Sequence, residues 1–247
     1  MTQIYRQKFT LSDMDVDCFG RLKLSTALYL AQEVAGQHCV LLGTDYDALA
    51  QHRLFWAVTR HRVQITRLPL RGETVTVETW PMPTTRVAYP RSMVVYDAQG
   101  NELLRSISLW VLMHMDTRAM VLPGKSGVQV EGMLTGSELA VPHSLAPKAA
   151  EHQTCRTVTY SCLDRNGHMN NTRYMDWVDD LLPAVFHREK TAREFTVCYL
   201  NEAREGQQLQ LSWELTQDMC LQVDAHRENT DVSGRTDRVF SAQVYFE

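Results

Sequence analysis

The apolar residues of the chain follow a helical period in two places and a strand period in many others. Residues 24–35 carry apolar side chains at intervals of three and four, the spacing of a helix with one buried face. Residues 174–185 repeat this spacing with Tyr174, Trp177, Val178, Leu181, Leu182 and Val185. The pattern predicts one amphipathic helix in each half of the chain.

Short runs that alternate apolar and polar residues follow each predicted helix. After the first helix they cover residues 63–65, 75–77, 93–96 and 107–113. After the second they cover residues 195–199, 209–215, 221–225 and 240–246. Alternation at a period of two, with turn residues between the runs, is typical of antiparallel strands. Each half is therefore predicted to be an α+β unit, a helix packed on an antiparallel sheet.

The two halves also share spaced landmarks, which indicates an internal repeat. Asp17 and Gly20 recur 147 positions later as Asp164 and Gly167, and Gly72 recurs 134 positions later as Gly206. The offset falls because the first half carries about thirteen extra residues near 43–53. We predict an N-terminal unit at 1–122, a linker rich in proline and glycine at 123–152, and a C-terminal unit at 153–247. A single α+β domain with chance similarity is the alternative.

The repeat is asymmetric where polar side chains gather. The segment DRNGHMNN at 164–171 brings Asp164, Asn166 and His168 together just before the second helix, and Glu202 follows in the next strand region. The first half has other residues at the matching positions: Phe19 for Asn166, Arg21 for His168 and Leu68 for Glu202. One active site per chain is therefore expected, and the first half is free to be apolar.

These polar residues suit the transfer of an acyl group to water. In an extended segment, Asn166 and His168 would project to the same side. His168 can exchange a proton near neutrality, and Asn166 can donate to a developing oxyanion. Glu202 is the best candidate for a general base or nucleophile, and Asp164 could orient its neighbours or serve as that carboxylate. The later asparagines are expected to cap the helix.

A cysteine nucleophile is the weaker alternative. Cys162 and Cys198 lie near His168 and Glu202 in sequence, but strand alternation puts their direction in doubt. The chain has no GxSxG elbow, no glycine-rich phosphate loop and no HExxH motif. We therefore predict neither a cofactor nor a metal ion.

Bulk properties exclude several classes of protein. The chain has 247 residues, of which 44% are apolar and 22% charged, and its net charge of -4 gives no footprint for nucleic acid. No apolar run reaches the roughly 20 residues that span a bilayer, so membrane insertion is not expected. The first residues, MTQIYRQKF, lack the apolar core expected of a signal peptide, and six cysteines without CxxC pairs indicate reduced thiols. We expect a cytoplasmic protein, and the sequence leaves a homodimer open.

Four stretches resemble the acyl-[acyl carrier protein] (ACP) thioesterases, a family of plant plastid enzymes and shorter bacterial relatives. The segment at 163–178, LDRNGHMNNTRYMDWV, is similar to the family pattern D-x-N-x-H-x-N-N-x-x-Y-x-x-W. Residues 27–38, 55–81 and 106–123 carry the rest of the resemblance. Since distinctive motifs occur in the expected order over most of the chain, chance is a poor explanation.

The resemblance implies a tandem (double) hotdog fold that hydrolyses fatty acyl thioesters on ACP, with the acyl pocket in the N-terminal half. It places the catalytic Asn and His at Asn166 and His168, with Asp164 and Glu202 as associated carboxylates. Ala203 stands where plant members often have Cys, so a cysteine mechanism at that position is excluded. A carboxylate mechanism becomes the stronger choice, although either carboxylate could act.

The resemblance leaves partner and activity alternatives open. Because the carrier is acidic, a basic docking patch is expected. Candidates are Arg60, Arg62, Arg67, Arg71, Arg188, Lys190 and Arg193. A hotdog hydrolase acting on acyl-coenzyme A, a non-catalytic acyl-binding module and a dehydratase of the same fold are the competing interpretations.

Overall fold

The structure, a computed structural model, describes residues 4–147, 150–229 and 235–247. The chain divides into two compact units, Met1–Pro142 and His143–Glu247. Each unit combines helices with antiparallel strands, so the predicted α+β class is confirmed.

The first unit is an antiparallel sheet with one long helix. Its strands run in the order β1-β3-β4-β5-β2, and β6 pairs with β5. The strands are β1 (Tyr5–Thr10), β2 (Leu54–Ile65), β3 (Thr74–Pro81), β4 (Tyr89–Tyr96), β5 (Glu102–His114) and β6 (Met120–Val121). The helices are α1 (Leu24–Leu42), α2 (Tyr46–Ala50) and α3 (Pro123–Ser126).

Helix α1 forms where the first helical period predicted it. Its apolar face is buried at Leu24, Leu28 and Val34, and it packs mainly on β3. The helix ends at Gly43, whose φ of 66° lies in the left-handed region and whose N–H bonds back to the last turn. The helix predicted from the first apolar period is therefore confirmed, and it packs on one face of the sheet.

The second unit repeats this plan with shorter helices. Its strands run in the order β8-β11-β10-β9-β7. They are β7 (His152–Thr157), β8 (Ala192–Tyr199), β9 (Gln208–Leu215), β10 (Cys220–Asn229) and β11 (Arg235–Phe246). The helices are α4 (Arg173–Asp179) and α5 (Ala184–Glu189), preceded by a 3-10 turn at Tyr160–Cys162.

The prediction of one continuous helix over 174–185 is wrong in its second half. Helix α4 stops at Asp179, and α5 begins only after Pro183. Proline has no N–H to donate and its ring clashes with the preceding turn, so it starts a new helix instead of continuing the old one. Val185, expected on the buried face, is 54% exposed.

Matching backbone hydrogen bonds in the two units confirm the internal repeat. In the first unit the N–H of Leu22 donates to the carbonyl of Pro69, at 2.8 Å. In the second unit the N–H of Met169 donates to the carbonyl of Ala203, also at 2.8 Å. These residues are related by the same offsets of 147 and 134 positions that the sequence showed. The matching glycines also share left-handed φ angles: 76° and 75° for Gly20 and Gly167, 81° and 79° for Gly72 and Gly206.

The segment predicted as a linker packs partly on each unit. In the first unit, the N–H of Met133 donates to Pro81, and the indole of Trp80 donates to the carboxylate of Glu138 at 3.3 Å. In the second unit, the carbonyl of Leu145 accepts from Arg238 at 2.8 Å. Residues 123–142 and 143–147 are thus each anchored to the unit they belong to.

A buried histidine in the first unit gives the fold a pH dependence. The His61 ring is 5% exposed and lies 3.1 Å from the hydroxyl of Ser106, and burial lowers the pKa of His61 to about 3. The unfolded chain binds a proton at this residue near pH 6.5, whereas the folded chain does so only near pH 3. Stability is therefore lost as the pH falls through this window.

We predict that His61→Gln flattens the pH dependence of unfolding between pH 6.5 and 3. As the pH falls, the free energy of unfolding of the wild type should decrease by up to about 1.4 kcal/mol per pH unit more than that of the variant, because one proton is bound at His61 only on unfolding. Urea denaturation at several pH values measures this difference. His52→Gln, at an exposed position, serves as the control. Equal slopes in wild type and His61→Gln would contradict the assignment.

Candidate active site

The segment at 164–168 is a tight turn that Asp164 closes with its own side chain. Its Oδ1 accepts the backbone N–H of Asn166 at 2.8 Å and that of His168 at 3.3 Å. The backbone N–H of Asp164 donates to the carbonyl of His168 at 2.8 Å. Gly167 supplies the left-handed φ of 75° that the turn needs. Short-range hydrogen bonds therefore fix the backbone that carries His168.

The turn corrects the prediction that Asn166 and His168 project to the same side. Asn166 is exposed and its side chain makes no hydrogen bond within the described residues, whereas His168 is only 8% exposed. Period-two alternation holds for extended backbone, but Asp164 and Gly167 bend the chain here. Asn166 thus faces solvent while His168 faces the interior.

The structure brings together His168 and Glu202, two of the residues that the sequence predicts for the site. The Nε2 of His168 lies 3.0 Å from Oε2 of Glu202. The backbone bond from Met169 to Ala203 joins the next residue of each segment, so it sets the two side chains in register. The His168 side chain is 10% exposed and that of Glu202 is 37% exposed. Glu202 is therefore the more accessible member of the pair.

Arg227 on β10 contacts the loop that carries Glu202. The guanidinium of Arg227 donates to the backbone carbonyl of Glu202 and, at 3.0 Å, to Oε1 of Gln207. A second arginine, Arg204, lies 4.0 Å from Oε2 of Glu202 and is largely exposed. The Glu202 carboxylate therefore has His168 as its close partner and an arginine at longer range.

Aromatic side chains pack beneath the turn. The ring of Tyr174 lies 4.6 Å from that of Phe240 and 5.7 Å from that of Tyr199, centroid to centroid. The hydroxyl of Tyr199 donates to the carbonyl of Asn171 at 3.0 Å. The Oδ1 of Asn170 accepts the N–H and hydroxyl of Thr172, both at 2.9 Å, in a turn that precedes α4. The prediction that an asparagine caps this helix is wrong, because Thr172 occupies the cap position and makes no side-chain capping bond.

The first unit builds the same turn without the histidine. The Oδ1 of Asp17 accepts the N–H of Phe19 at 2.8 Å and of Arg21 at 2.9 Å. The guanidinium of Arg21 then folds back onto Asp17 Oδ2 at 2.9 Å. The turn alone therefore explains an aspartate at this position in both units. The His168–Glu202 contact occurs at the turn of the second unit.

The cysteine alternatives gain no support from the geometry. Alternation along β8 turns Cys198 to the side opposite Tyr199, and its Sγ lies 3.8 Å from the carbonyl of His143. The Sγ of Cys162 lies 3.4 Å from the hydroxyl of Thr159. Within the described residues all six cysteines are free, and no group of His, Cys, Asp and Glu residues could hold a metal ion.

The first unit nevertheless buries polar side chains in part of its sheet. Arg91 on β4 is 8% exposed and contacts Nδ1 of His38 at 3.1 Å and the hydroxyl of Thr79 at 3.4 Å. The sulfur of Cys39 lies 3.9 Å away, and burial lowers the pKa of Arg91. The core of this unit therefore includes a buried cluster of polar side chains.

Three of the basic residues proposed for carrier docking are paired with carboxylates. Arg67 pairs with Glu73 at 2.7 Å, Arg71 pairs with Asp13, and Arg193 pairs with Glu247. Their charge is thus partly compensated by neighbours. No helix among the described residues has the length and apolar content needed to cross a membrane.

Comparison with known families gives one consistent match. Residues 2–122 match the model of the acyl-ACP thioesterase N-terminal domain, and residues 145–239 match that of the C-terminal domain. A palmitoyl-acyl carrier protein thioesterase of Gossypium hirsutum is 27% identical over 84% of this chain and 54% of its own length. A dodecanoyl-ACP hydrolase of Cinnamomum camphora is 26% identical over 84% of this chain and 58% of its own length. The chain spans about half the length of these curated relatives.

Solved structures share the fold. An acyl-ACP thioesterase from Bacteroides thetaiotaomicron superposes with a TM-score of 0.85 and 24% identity, over 99% of this chain and 98% of the other. The 12:0-ACP thioesterase from Umbellularia californica gives a TM-score of 0.83 and 21% identity, over 100% of this chain and 98% of the other. At these identities the likeness supports the fold alone, namely the tandem hotdog.

The two aspartate turns generate a matched stability prediction. Asp17→Ala and Asp164→Ala should each lower the free energy of unfolding by about 1–2 kcal/mol, because each leaves two backbone N–H groups without their acceptor. Asp164→Asn should retain most of the stability, since an amide oxygen can replace Oδ1. Asp218→Ala, at an exposed aspartate, is the control. Urea denaturation that finds Asp164→Ala as stable as wild type would refute the turn assignment.

Proposed function

The chain belongs to the acyl-ACP thioesterase family, and on this premise we propose that it hydrolyses fatty acyl thioesters of acyl carrier protein to free fatty acid. One observation within the chain carries the proposal: the 3.0 Å contact between Nε2 of His168 and Oε2 of Glu202. A carboxylate and an imidazole in contact, half-open to solvent, form a suitable device for activating water.

Glu202 acts as the general base in the proposed mechanism. Its carboxylate takes a proton from a water molecule whose oxygen attacks the thioester carbonyl carbon. His168 holds the carboxylate in place through the Nε2 contact. The amide of Asn166, exposed at the edge of the turn, donates to the carbonyl oxygen as it becomes negative. The carbon–sulfur bond then breaks, and the proton passes from Glu202 to the leaving sulfur.

Asp164 has a different role from Glu202. Its Oδ1 is engaged by two backbone N–H groups, and the same arrangement occurs at Asp17 in the unit without a His–Glu pair. A residue that performs the same structural task in both units needs no catalytic role to explain it. We therefore assign Asp164 to positioning His168 and Asn166, and the base to Glu202.

The acyl chain is proposed to occupy the N-terminal unit, as the family resemblance implies. The phosphopantetheine thioester is common to ACP and coenzyme A, so the His168–Glu202 pair would act on both. Preference for ACP depends on surfaces away from this pair. A cytoplasmic location and a homodimer stay predictions from the sequence.

Thiol release from matched substrates tests the proposal. A panel of acyl-ACP and acyl-coenzyme A thioesters of several chain lengths should show cleavage with higher kcat/KM on the carrier-bound form. Similar kcat/KM on both carriers would contradict the carrier assignment while retaining the hydrolase. Absence of cleavage across the panel would favour the non-catalytic acyl-binding alternative.

We predict that substitution of the two carboxylates distinguishes the general base, Glu202, from the residue that closes the turn, Asp164. Glu202→Gln should lower kcat by roughly 100-fold or more, as expected for loss of a general base. His168→Ala should be similarly impaired, because Glu202 loses its partner. Asp164→Asn should keep most of its kcat, and Asp218→Ala is the matched acidic control. A severe loss in Asp164→Asn with full activity in Glu202→Gln would reverse the assignment.

A further inference from the structure

Arg227 on β10 donates two hydrogen bonds to the loop that carries Glu202. Its Nη1 atom donates to the backbone carbonyl of Glu202 and, at 3.0 Å, to Oε1 of Gln207. The Arg227 side chain is 20% exposed, so most of its surface is shielded from water. Its Nη2 atom lies 3.6 Å from Oδ2 of Asp237, the residue opposite Arg227 in the β10–β11 ladder. The guanidinium therefore contacts the sheet on one side and the loop on the other.

Two consecutive carbonyls fix the backbone at Glu202. The carbonyl of Glu202 accepts from Arg227, and the next carbonyl, that of Ala203, accepts the N–H of Met169 at 2.8 Å. The second bond joins the loop to the turn that carries His168, and the first joins it to the sheet. Because a side chain moves with its own backbone, a shift at this peptide would change the 3.0 Å separation between Nε2 of His168 and Oε2 of Glu202.

The matching loop of the first unit is closed in a similar way. There the Oε1 of Glu73 accepts the backbone N–H of Leu70 at 3.1 Å. In the second unit the Oε1 of Gln207 accepts the backbone N–H of Arg204 at 2.9 Å. Both pairs are related by the offset of 134 positions. A side-chain oxygen at this position therefore closes the loop in both units, as a carboxylate in the first and as an amide in the second.

The arginine that contacts this oxygen comes from a different part of each unit. In the first unit it is Arg67, a residue of the loop itself, which contacts Glu73 at 2.7 Å and the carbonyl of Leu68 at 3.4 Å. In the second unit Arg227 reaches the equivalent atoms from β10. An arginine within a loop moves with that loop, whereas one on a strand holds the loop to the sheet. The arginine of the second unit therefore ties the Glu202 loop to the sheet.

We propose that Arg227 is a positioning residue of the thioesterase site, which holds the Glu202 backbone so that the carboxylate stays in contact with His168. This inference rests on the proposed function. Arg227 acts through Glu202 and makes no contact with the reacting atoms. Its bonds to the Glu202 carbonyl and to Gln207 limit the motion of the general base. A base acts only within hydrogen-bond reach, and a displacement of about 1 Å can lower the rate by roughly 100-fold.

Arg227→Met tests this role, with Arg227→Lys as the conservative variant. Arg227→Met should lower kcat on the best acyl thioester by roughly 10- to 100-fold with KM little changed, when assayed well below its melting temperature. Arg227→Lys keeps a charged donor but loses the planar guanidinium, so its kcat should lie between the two. In the Glu202→Gln background, Arg227→Met should lower kcat by less than about 3-fold further, because there is no longer a base to position.

Gln207→Ala and Glu73→Ala are matched variants that test the same role even if Arg227→Met does not fold. Each removes the oxygen that closes its loop and contacts an arginine, so both should lower the melting temperature. Only Gln207→Ala should also lower kcat, by roughly tenfold, since only the loop of the second unit carries the base. Glu73→Ala should keep most of the wild-type kcat.

Three results would overturn the role of Arg227 and leave the proposed function intact. The first is a wild-type kcat in Arg227→Met, or in Gln207→Ala with a lowered melting temperature. The second is an equal loss of kcat by Arg227→Met in the wild-type and Glu202→Gln backgrounds, which would show that the substitution acts on the fold and not on the base. The third is an equal loss in Gln207→Ala and Glu73→Ala. A wild type inactive on every thioester would overturn the proposed function itself.

Discussion

The backbone hydrogen bond from Met169 to Ala203 is the contact on which the candidate site depends. It joins the turn before α4 to the loop after β8, and it places His168 beside Glu202 as the adjoining residues. Neither segment holds its side chain in position alone: one is a five-residue turn and the other a loop. A main-chain bond is insensitive to side-chain identity, so it can be kept while the chemistry around it changes.

The first unit shows what the same scaffold does without that chemistry. It keeps the corresponding bond from Leu22 to Pro69 and the aspartate turn, but Arg21 replaces the histidine and pairs with Asp17. The two halves thus share backbone geometry and differ in the side chains mounted on it. That difference is also informative about Asp164, since the matching Asp17 is retained in a unit that has no histidine–glutamate pair.

The sequence predicted features that follow from local periodicity and missed those that depend on turns and tertiary contacts. Alternation and residue spacing are local properties of the sequence, so they predicted the strands, helix α1 and the repeat offsets. The apolar period continues past Pro183, so it predicts a longer second helix than the one that forms. Spacing alone predicts Asn166 and His168 on one side, because nothing in the spacing shows that the Asp164 side chain closes a turn there.

The central claim is that His168 and Glu202 act as one unit, and a double-mutant cycle on kcat measures this most directly. His168→Ala, Glu202→Gln and the double variant would be compared with wild type in single-turnover hydrolysis of an acyl-ACP. Residues that act together give strongly non-additive losses. The double variant is therefore predicted to be little slower than the slower single variant. A loss in the double variant equal to the product of the two single losses would show that the residues act independently, and would contradict the account.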